Sequence, residues 1–183
     1  MAGSSSKDGP HSSCDGELHF ITAVWGEAYT RFFIEVCLPS QLSSGNIDGL
    51  KRAEKSLYRI FTTGSDAEKI RNSASFRILE RTIRVEFIVY ASPSGEEKHH
   101  FVVNMQKQAF RDAYEADAGI VFLAPDIVVG DGAFVAAEKH YRGGKAALMI
   151  AGPRLYEPTF VPEILNRIDE TTGVLSLPPR DLV

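Results

Sequence analysis

The chain has little cysteine, no excess of basic residues and no long hydrophobic run. Its 183 residues carry a formal net charge of -4, which gives no electrostatic support for binding nucleic acid or an anionic membrane surface. No stretch approaches the ~20 apolar residues that a membrane-spanning helix needs. The two cysteines, Cys14 and Cys37, lie in unlike contexts. We therefore expect free thiols rather than a disulfide, and a reducing compartment, the cytoplasm.

What the chain does contain fits one globular domain. Hydrophobic residues make up 44% of it and charged residues 24%, enough for a sizeable core. Residues 1–17 are rich in Ser and Gly and hold no apolar segment. They predict a disordered tail without a secretory signal, followed by a single domain over residues 18–183.

Strand-like and helix-like segments alternate along the domain. Apolar and β-branched runs predict strands at residues 18–25, 57–63, 82–90, 118–126 and 146–151. Helical spacing predicts helices from Gly26 to Pro39, from Ser65 as N-cap, over about 101–115, and from Asp131 to Gly143, with another beginning at 177–183. This order predicts an α/β fold, a three-layer α/β/α arrangement around a mostly parallel, Rossmann-like sheet.

The run over residues 118–126 ends on a carboxylate, Asp126, with Asp131 a few residues beyond. Its composition predicts a strand buried on both faces, and ligands of open α/β sheets bind outside the carboxyl ends of the strands. Two hard oxygen ligands suit Mg²⁺ or Mn²⁺ shared with a diphosphate. The structural alternative is an Asx-turn after Pro125 and an Asp-Gly turn that caps the next helix.

The first two predicted strands end in Trp25-Gly26 and Thr62-Thr63. If these two strands run parallel to the predicted strand at 118–126, the four residues lie at the same rim of the sheet as Asp126. A Trp ring can stack on a base and hydroxyls can bond its polar edge, which indicates a nucleotide pocket. A packed Trp and an ordinary turn are the alternatives.

Several motifs are absent or weak. Neither the dinucleotide-binding nor the phosphate-loop glycine pattern occurs, and no Gly-x-Ser-x-Gly elbow is present, which disfavours those enzyme classes. His99 and His100 are better explained as a solvated pair than as a metal site. Solvent-facing positions likewise explain three cations that might approach phosphates: Lys107, Arg111 and Arg154.

Four segments together resemble glycosyltransferases of the GT-A type, which use nucleotide-diphospho-sugars. They cover residues 20–29, 38–46, 58–63 and 122–132. The resemblance implies nucleotide contacts from the ends of the first two strands, here Ala23, Val24, Trp25, Gly26, Thr62 and Thr63. It also implies a metal-binding Asp-x-Asp, for which the chain has Ala124-Pro125-Asp126 and so only the second acid.

The resemblance further implies a nucleotide-diphospho-sugar donor, a hydroxyl acceptor, a metal such as Mg²⁺ or Mn²⁺ held by Asp126, and an acceptor-binding half of which residues 153–183 are only the start. Asp131 is the candidate catalytic base. Because the first acid is missing, a catalytically inactive nucleotide-sugar-binding or interaction module is an alternative. A sugar nucleotidyltransferase is another, although the basic Gly-rich loop typical of that class is absent after the first strand.

Overall fold

The structure is a computed structural model that describes residues 16–91, 97–150, 152 and 156–182. The predicted disordered tail lies outside these residues except for Gly16 and Glu17. Cys14, residues 92–96 and Arg154 also lie outside them. Cys37 is a free, buried thiol, as the sequence predicted.

Strands and helices alternate as expected for an α/β fold. The strands are β1 Leu18–Ala23, β2 Leu57–Thr63, β3 Arg84–Tyr90 and β4 Gly119–Leu123. The α-helices are α1 Glu27–Phe32, α2 Leu38–Gln41, α3 Gly64–Asn72, α4 Ala74–Thr82, α5 Glu97–Glu115, α6 Ala133–Arg142 and α7 Glu157–Leu165. A π-helical turn, Phe33–Cys37, joins α1 to α2, and two 3₁₀ turns occupy Ile47–Gly49 and Pro179–Leu182.

The four strands form one sheet in the order β3-β2-β1-β4. Every pair is parallel, so all four carboxyl ends lie at the same rim. The expected parallel, Rossmann-like sheet is confirmed at this level. Among the described helices, none is both long enough and apolar enough to cross a membrane.

Alternate residues along β1 and β2 belong to two different hydrophobic clusters. Phe20, Val24, Tyr58 and Ile60 belong to the larger one, with residues of α4 and α6. Ile21 and Phe61 belong to a smaller one with Met105 and Ala109 of α5. Because side chains alternate across a strand, both faces of the sheet pack against apolar side chains.

Two strand predictions are wrong. Residues 146–150 form no strand and are exposed, with Met149 95% and Ile150 73% accessible; Ala151 lies outside the described residues. The run over 118–126 is a strand only from Gly119 to Leu123, and β4 is an edge strand in which Leu123 alone is fully buried. An apolar composition promotes burial only where a neighbouring element covers it, and no described strand covers the outer side of β4.

Two helix-boundary predictions are also wrong. Pro39 does not end the first helix, which continues to Gln41. The π-helical turn before it already widens the hydrogen-bond ladder, so the missing Pro N–H falls in an altered register. The N-cap of α3 is Thr63 rather than Ser65, and its hydroxyl accepts the Asp66 N–H.

The final described segment packs back on the first helices. Ile164 of α7, Leu175 and Leu177 form a buried cluster with Val36 of the π-helical turn. The Leu175 N–H donates to the Pro39 carbonyl at 3.1 Å. The predicted helix at 177–183 is present only as the 3₁₀ turn Pro179–Leu182.

Candidate functional site

The strand order places the ends of β1 and β4 side by side at the carboxyl rim. From β1 the chain adds β2 and then β3 on one side, and it crosses to the other side of β1 for β4. The segments that follow β1 and β4 both pack on the sheet face that carries Phe20. The carboxyl ends of the strands are where open α/β sheets bind ligands.

Trp25 lies just after β1 within an aromatic group. Its ring meets Tyr90 at 6.2 Å and Phe101 at 5.6 Å between centroids, both nearly perpendicular. Tyr90 ends β3 and Phe101 belongs to α5. Edge-to-face contacts of this kind orient a ring without covering its whole surface. Trp25 is half-buried, so part of the indole faces the rim.

Asp66 links the ends of β1 and β2. Its Oδ2 accepts hydrogen bonds from the Gly26 N–H and from the Thr63 hydroxyl, both at 2.9 Å. The Thr63 hydroxyl oxygen in turn accepts the Asp66 N–H at 3.3 Å. The first turn of α3 thus fixes the glycine at which the chain leaves β1, where φ is +86°.

The charge state of Asp66 follows from these contacts. Burial by itself would raise its pKa, but the hydrogen bonds from Gly26 and Thr63 and the charge of Lys69 hold the pKa below its usual value. Lys69 also pairs with Glu27. Two carboxylates and one ammonium therefore border the loop after β1.

Asp66 was missed in the sequence analysis. The spacing Thr63-x-x-Asp66 is that of a capping box, in which the acid three residues after the cap turns back toward it. This spacing identifies Thr63 and Asp66 as a capping pair. The contact between Asp66 and Gly26 is seen only in the folded chain.

The other predicted nucleotide residues are less accessible. Val24 and Thr62 are fully buried and Thr63 nearly so. The Val24 N–H donates to the Phe61 carbonyl at 2.9 Å, and the Thr62 hydroxyl has no partner among the described residues. Ala23 packs against the α5 cluster. Among the six predicted contacts, Gly26 is exposed, and Ala23 and Trp25 are half-buried.

Two buried side chains of the α2 region hold the loop after β4. The Ser40 hydroxyl accepts the Val129 N–H at 3.1 Å. Asn46 donates to the Gly130 carbonyl at 3.2 Å, and its Oδ1 accepts the Phe134 N–H at 3.1 Å. Both polar residues lie in the segment 38–46 that carries part of the family resemblance, but their role was not predicted.

Asp126 and Asp131 occupy different surroundings in this loop. Asp126 is exposed; burial first, and the charge of Asp126 second, raise the pKa of the Cys37 thiol. Asp131 accepts from the Ser176 hydroxyl at 2.6 Å and from the Leu177 N–H at 2.8 Å. Burial would raise its pKa, and these bonds lower it.

The described residues contain no group of three or more His, Cys, Asp or Glu side chains placed to hold a metal ion. Asp126 offers a single carboxylate. His100, Lys107 and Arg111 are exposed on α5, as the sequence predicted, and nothing is described of the His99 side chain.

A polar cavity of about 400 Å³ lies at the opposite, amino end of the strands. Arg59 occupies it, and its guanidinium donates to Glu86 of β3 and Asp112 of α5. These ion pairs link β2, β3 and α5. The cavity is remote from the rim residues.

The chain matches no known protein family, and comparison with curated proteins and with solved structures finds no similar protein.

Proposed function

We propose that the protein is a GT-A-like domain, with helices in layers on both faces of its sheet, that binds a nucleotide-diphospho-sugar and transfers the sugar to an acceptor hydroxyl. The observation that carries this is the adjacency of β1 and β4 at the carboxyl rim, where Trp25 follows β1 and Asp126 follows β4. The order of segments that resembles the GT-A type supports it. The cytoplasmic location we propose rests on the cysteine usage.

The contacts suggest how a donor is held. The half-buried Trp25 ring offers a stacking surface for the base, and the loop at Gly26 is fixed by Asp66. Asp126 is free to face the diphosphate from the β4 side. Proteins can hold Mg²⁺ with one carboxylate, phosphate oxygens and water. Asp126 therefore fits a cation that arrives bound to the nucleotide-diphospho-sugar. Such a cation neutralises charge on the diphosphate.

In the transfer, the bond from the anomeric carbon to the diphosphate oxygen breaks, and that oxygen keeps the electron pair. A bond forms between the anomeric carbon and the acceptor oxygen, whose proton passes to a base. Asp131 is the base that we propose. The lowered pKa of Asp131 keeps its carboxylate ionised. Its hydrogen bonds to Ser176 and Leu177 also make it a weak base. Asp131 therefore has a positioning role as well.

A catalytically inactive nucleotide-sugar-binding module is the second candidate. Ala124 stands where the family pattern has its first acid, and the described residues form no multi-carboxylate cluster. A binding module needs the carboxyl rim and Trp25 but no base.

Calorimetry with UDP, GDP and their sugars, with and without Mn²⁺, tests both candidates. Binding of none of them contradicts both. If a donor binds, Asp126→Asn is expected to weaken Mn²⁺-dependent affinity at least about tenfold, the loss of about 1.4 kcal/mol. Glu80→Gln, which neutralises an exposed carboxylate on α4, is the matched control and should bind as the unaltered chain does.

Turnover separates the two candidates. The transferase hydrolyses or transfers the donor sugar, and Asp131→Asn abolishes this while donor affinity remains. The binding module shows affinity with no release of nucleoside diphosphate in either protein.

A further inference from the structure

The polar cavity at the amino end of the strands is a second concave surface of the molecule, with a volume of about 400 Å³. Three of its lining residues form one row across the sheet, because His19 of β1 and Arg84 of β3 both pair with Leu57 of β2 between them. Asp112 and Ala116 line it from the end of α5, four positions apart and therefore on one helix face. The cavity thus lies between a row of the sheet and α5.

The buried cation of this cavity is only partly used by its ion pairs. Arg59 lies two positions along β2 from Leu57. Its Nε donates to Glu86 at 2.8 Å and its Nη1 donates to Asp112. Its Nη2 group has no partner within the described part of the chain and is not enclosed by protein atoms. A guanidinium has five N–H donors, so Arg59 can still bind an anionic group.

Charges of opposite sign lie on the two sides of Leu57. On the β3 side, Arg84 is exposed and forms no ion pair among the described residues. On the β1 side, one carboxylate oxygen of Glu17 contacts His19 Nε2 at 2.9 Å, and the other has no described partner. Because a carboxylate only accepts, the proton of a neutral His19 ring is on Nε2, and its buried Nδ1 is an acceptor without a described donor. The β3 side therefore has spare donors and the β1 side has spare acceptors.

We propose that this cavity binds a small zwitterion, an aliphatic α-amino acid, above Leu57. Its carboxylate pairs with Arg84 and the Arg59 Nη2 group, and its ammonium pairs with Glu17. Two strand spacings, about 10 Å, separate β1 from β3. Two charge-assisted hydrogen bonds of about 2.8 Å each, with the ligand between them, fit that span. Leu57 and Ala116 present apolar surface to the ligand side chain.

The charges that line the cavity favour a zwitterion over a simple ion. Glu86 and Asp112 together outweigh the charge of Arg59, so they repel an anion that has no positive group of its own. A cation alone leaves Arg84 without an anion. The carboxylates of the described residues also form no group that could hold a metal ion. A ligand that carries both signs matches Arg84 on one side and Glu17 on the other.

An NMR titration of the full chain with L-valine, up to about 50 mM, tests the site. We expect a dissociation constant of about 1 mM or below, with shifts of the His19 ring resonances. Two matched compounds carry one charge each: isovalerate lacks the ammonium and isobutylamine lacks the carboxylate. Each should bind at least about tenfold more weakly than L-valine. The Trp25 emission should not change, because the cavity is remote from the rim.

Two variants separate the two ends of the ligand. Arg84→Gln should weaken L-valine at least about tenfold and leave isobutylamine unchanged, because that amine has no carboxylate to lose a partner. Glu17→Gln, which keeps an acceptor for His19, should weaken L-valine similarly and leave isovalerate unchanged. Arg81→Gln removes an exposed arginine of α4 that does not line the cavity, and it is the matched control. Circular dichroism verifies that every variant is folded.

The outcomes that overturn the proposal are distinct. Absence of L-valine binding up to about 50 mM overturns it. Isovalerate that binds as tightly as L-valine also overturns it and would make the cavity an anion site, whereas isobutylamine that does so would make it a cation site. Unchanged L-valine affinity in either Arg84→Gln or Glu17→Gln would place the amino acid elsewhere and overturns it as well.

Discussion

Asp131 and Leu177 hold each other by two reciprocal hydrogen bonds. The Asp131 N–H donates to the Leu177 carbonyl at 2.9 Å, and the Leu177 N–H donates to Asp131 Oδ1 at 2.8 Å. The pair fastens the end of the chain to the loop that follows β4. A residue predicted as a catalytic base therefore has a definite structural task as well.

Asp131→Ala should lower the free energy of unfolding by about 1–3 kcal/mol, because bonds to a charged group are lost and the Leu177 N–H loses its acceptor. Urea unfolding measures the change. Glu80→Ala, which removes an exposed carboxylate from α4, should stay within about 0.5 kcal/mol. Equal stability of the two variants would contradict the structural role.

Gly45→Ala should cost more stability than Gly132→Ala. Both glycines have positive φ, +74° and +77°, so either alanine is strained by about 1–2 kcal/mol. Only at Gly45 does an added Cβ also meet backbone, at 3.1 Å from the Gly132 Cα. Thermal unfolding of the two variants compares them, and a Gly132→Ala protein that is the less stable would show that this close approach is unimportant.

Asn46→Ala should destabilise the chain by about 2–4 kcal/mol, because it leaves the Gly130 carbonyl and the Phe134 N–H without their side-chain partner in a buried region. Asn46→Asp keeps an acceptor for the Phe134 N–H and removes the donors. Because its carboxylate would be buried against the Ser40 and Gly130 carbonyl oxygens, we expect a loss at least as large as that of alanine in urea unfolding at neutral pH. A smaller loss than that of alanine would show that the bond from the Phe134 N–H accounts for most of the effect.

The pH dependence of stability should report Asp66. Its pKa is lower in the folded chain than the usual 3.8, so folding favours the ionised form. This stabilisation is complete above the unfolded pKa and disappears as pH falls through the folded pKa. Asp66→Asn should therefore cost most stability near neutral pH, and its difference from the unaltered chain should shrink in acid. Urea midpoints from about pH 6 down to about pH 2 follow this; a constant difference would exclude Asp66 as the cause.

Trp25 is the chain's single tryptophan, so its fluorescence reports the rim directly. A nucleotide that stacks on the half-buried indole should change the emission with the same dissociation constant that calorimetry gives. Free N-acetyltryptophanamide, titrated in parallel, corrects for absorption by the nucleotide. Calorimetric binding without any change in Trp25 emission would place the base elsewhere.

The sequence predicted those elements whose pattern depends on local burial. β2 matches its predicted residues 57–63, where aromatic and β-branched residues predominate and every side chain is buried. The parallel sheet follows from the alternation of strands and helices. These are properties that neighbouring residues determine.

The wrong predictions concern residues whose structure depends on contacts with distant parts of the chain. Residues 146–150 have the composition of a buried strand but no described neighbour. Val24 and Thr62 stand at the rim in sequence, yet both are fully buried, since α1 and α3 cover the strand ends. The contacts of Asp66 with Gly26 and of Asn46 with Phe134 join residues far apart in the chain, and no local pattern reveals such pairs.

The cluster of Val36 with Ile164, Leu175 and Leu177 has a consequence for biosynthesis. The apolar side of the π-helical turn is made early, and the residues that cover it follow about 140 positions later. At about 5–20 residues per second, that surface waits roughly 7–28 s for its cover. The docking of Leu175 and Leu177 is therefore expected to be a late event in folding.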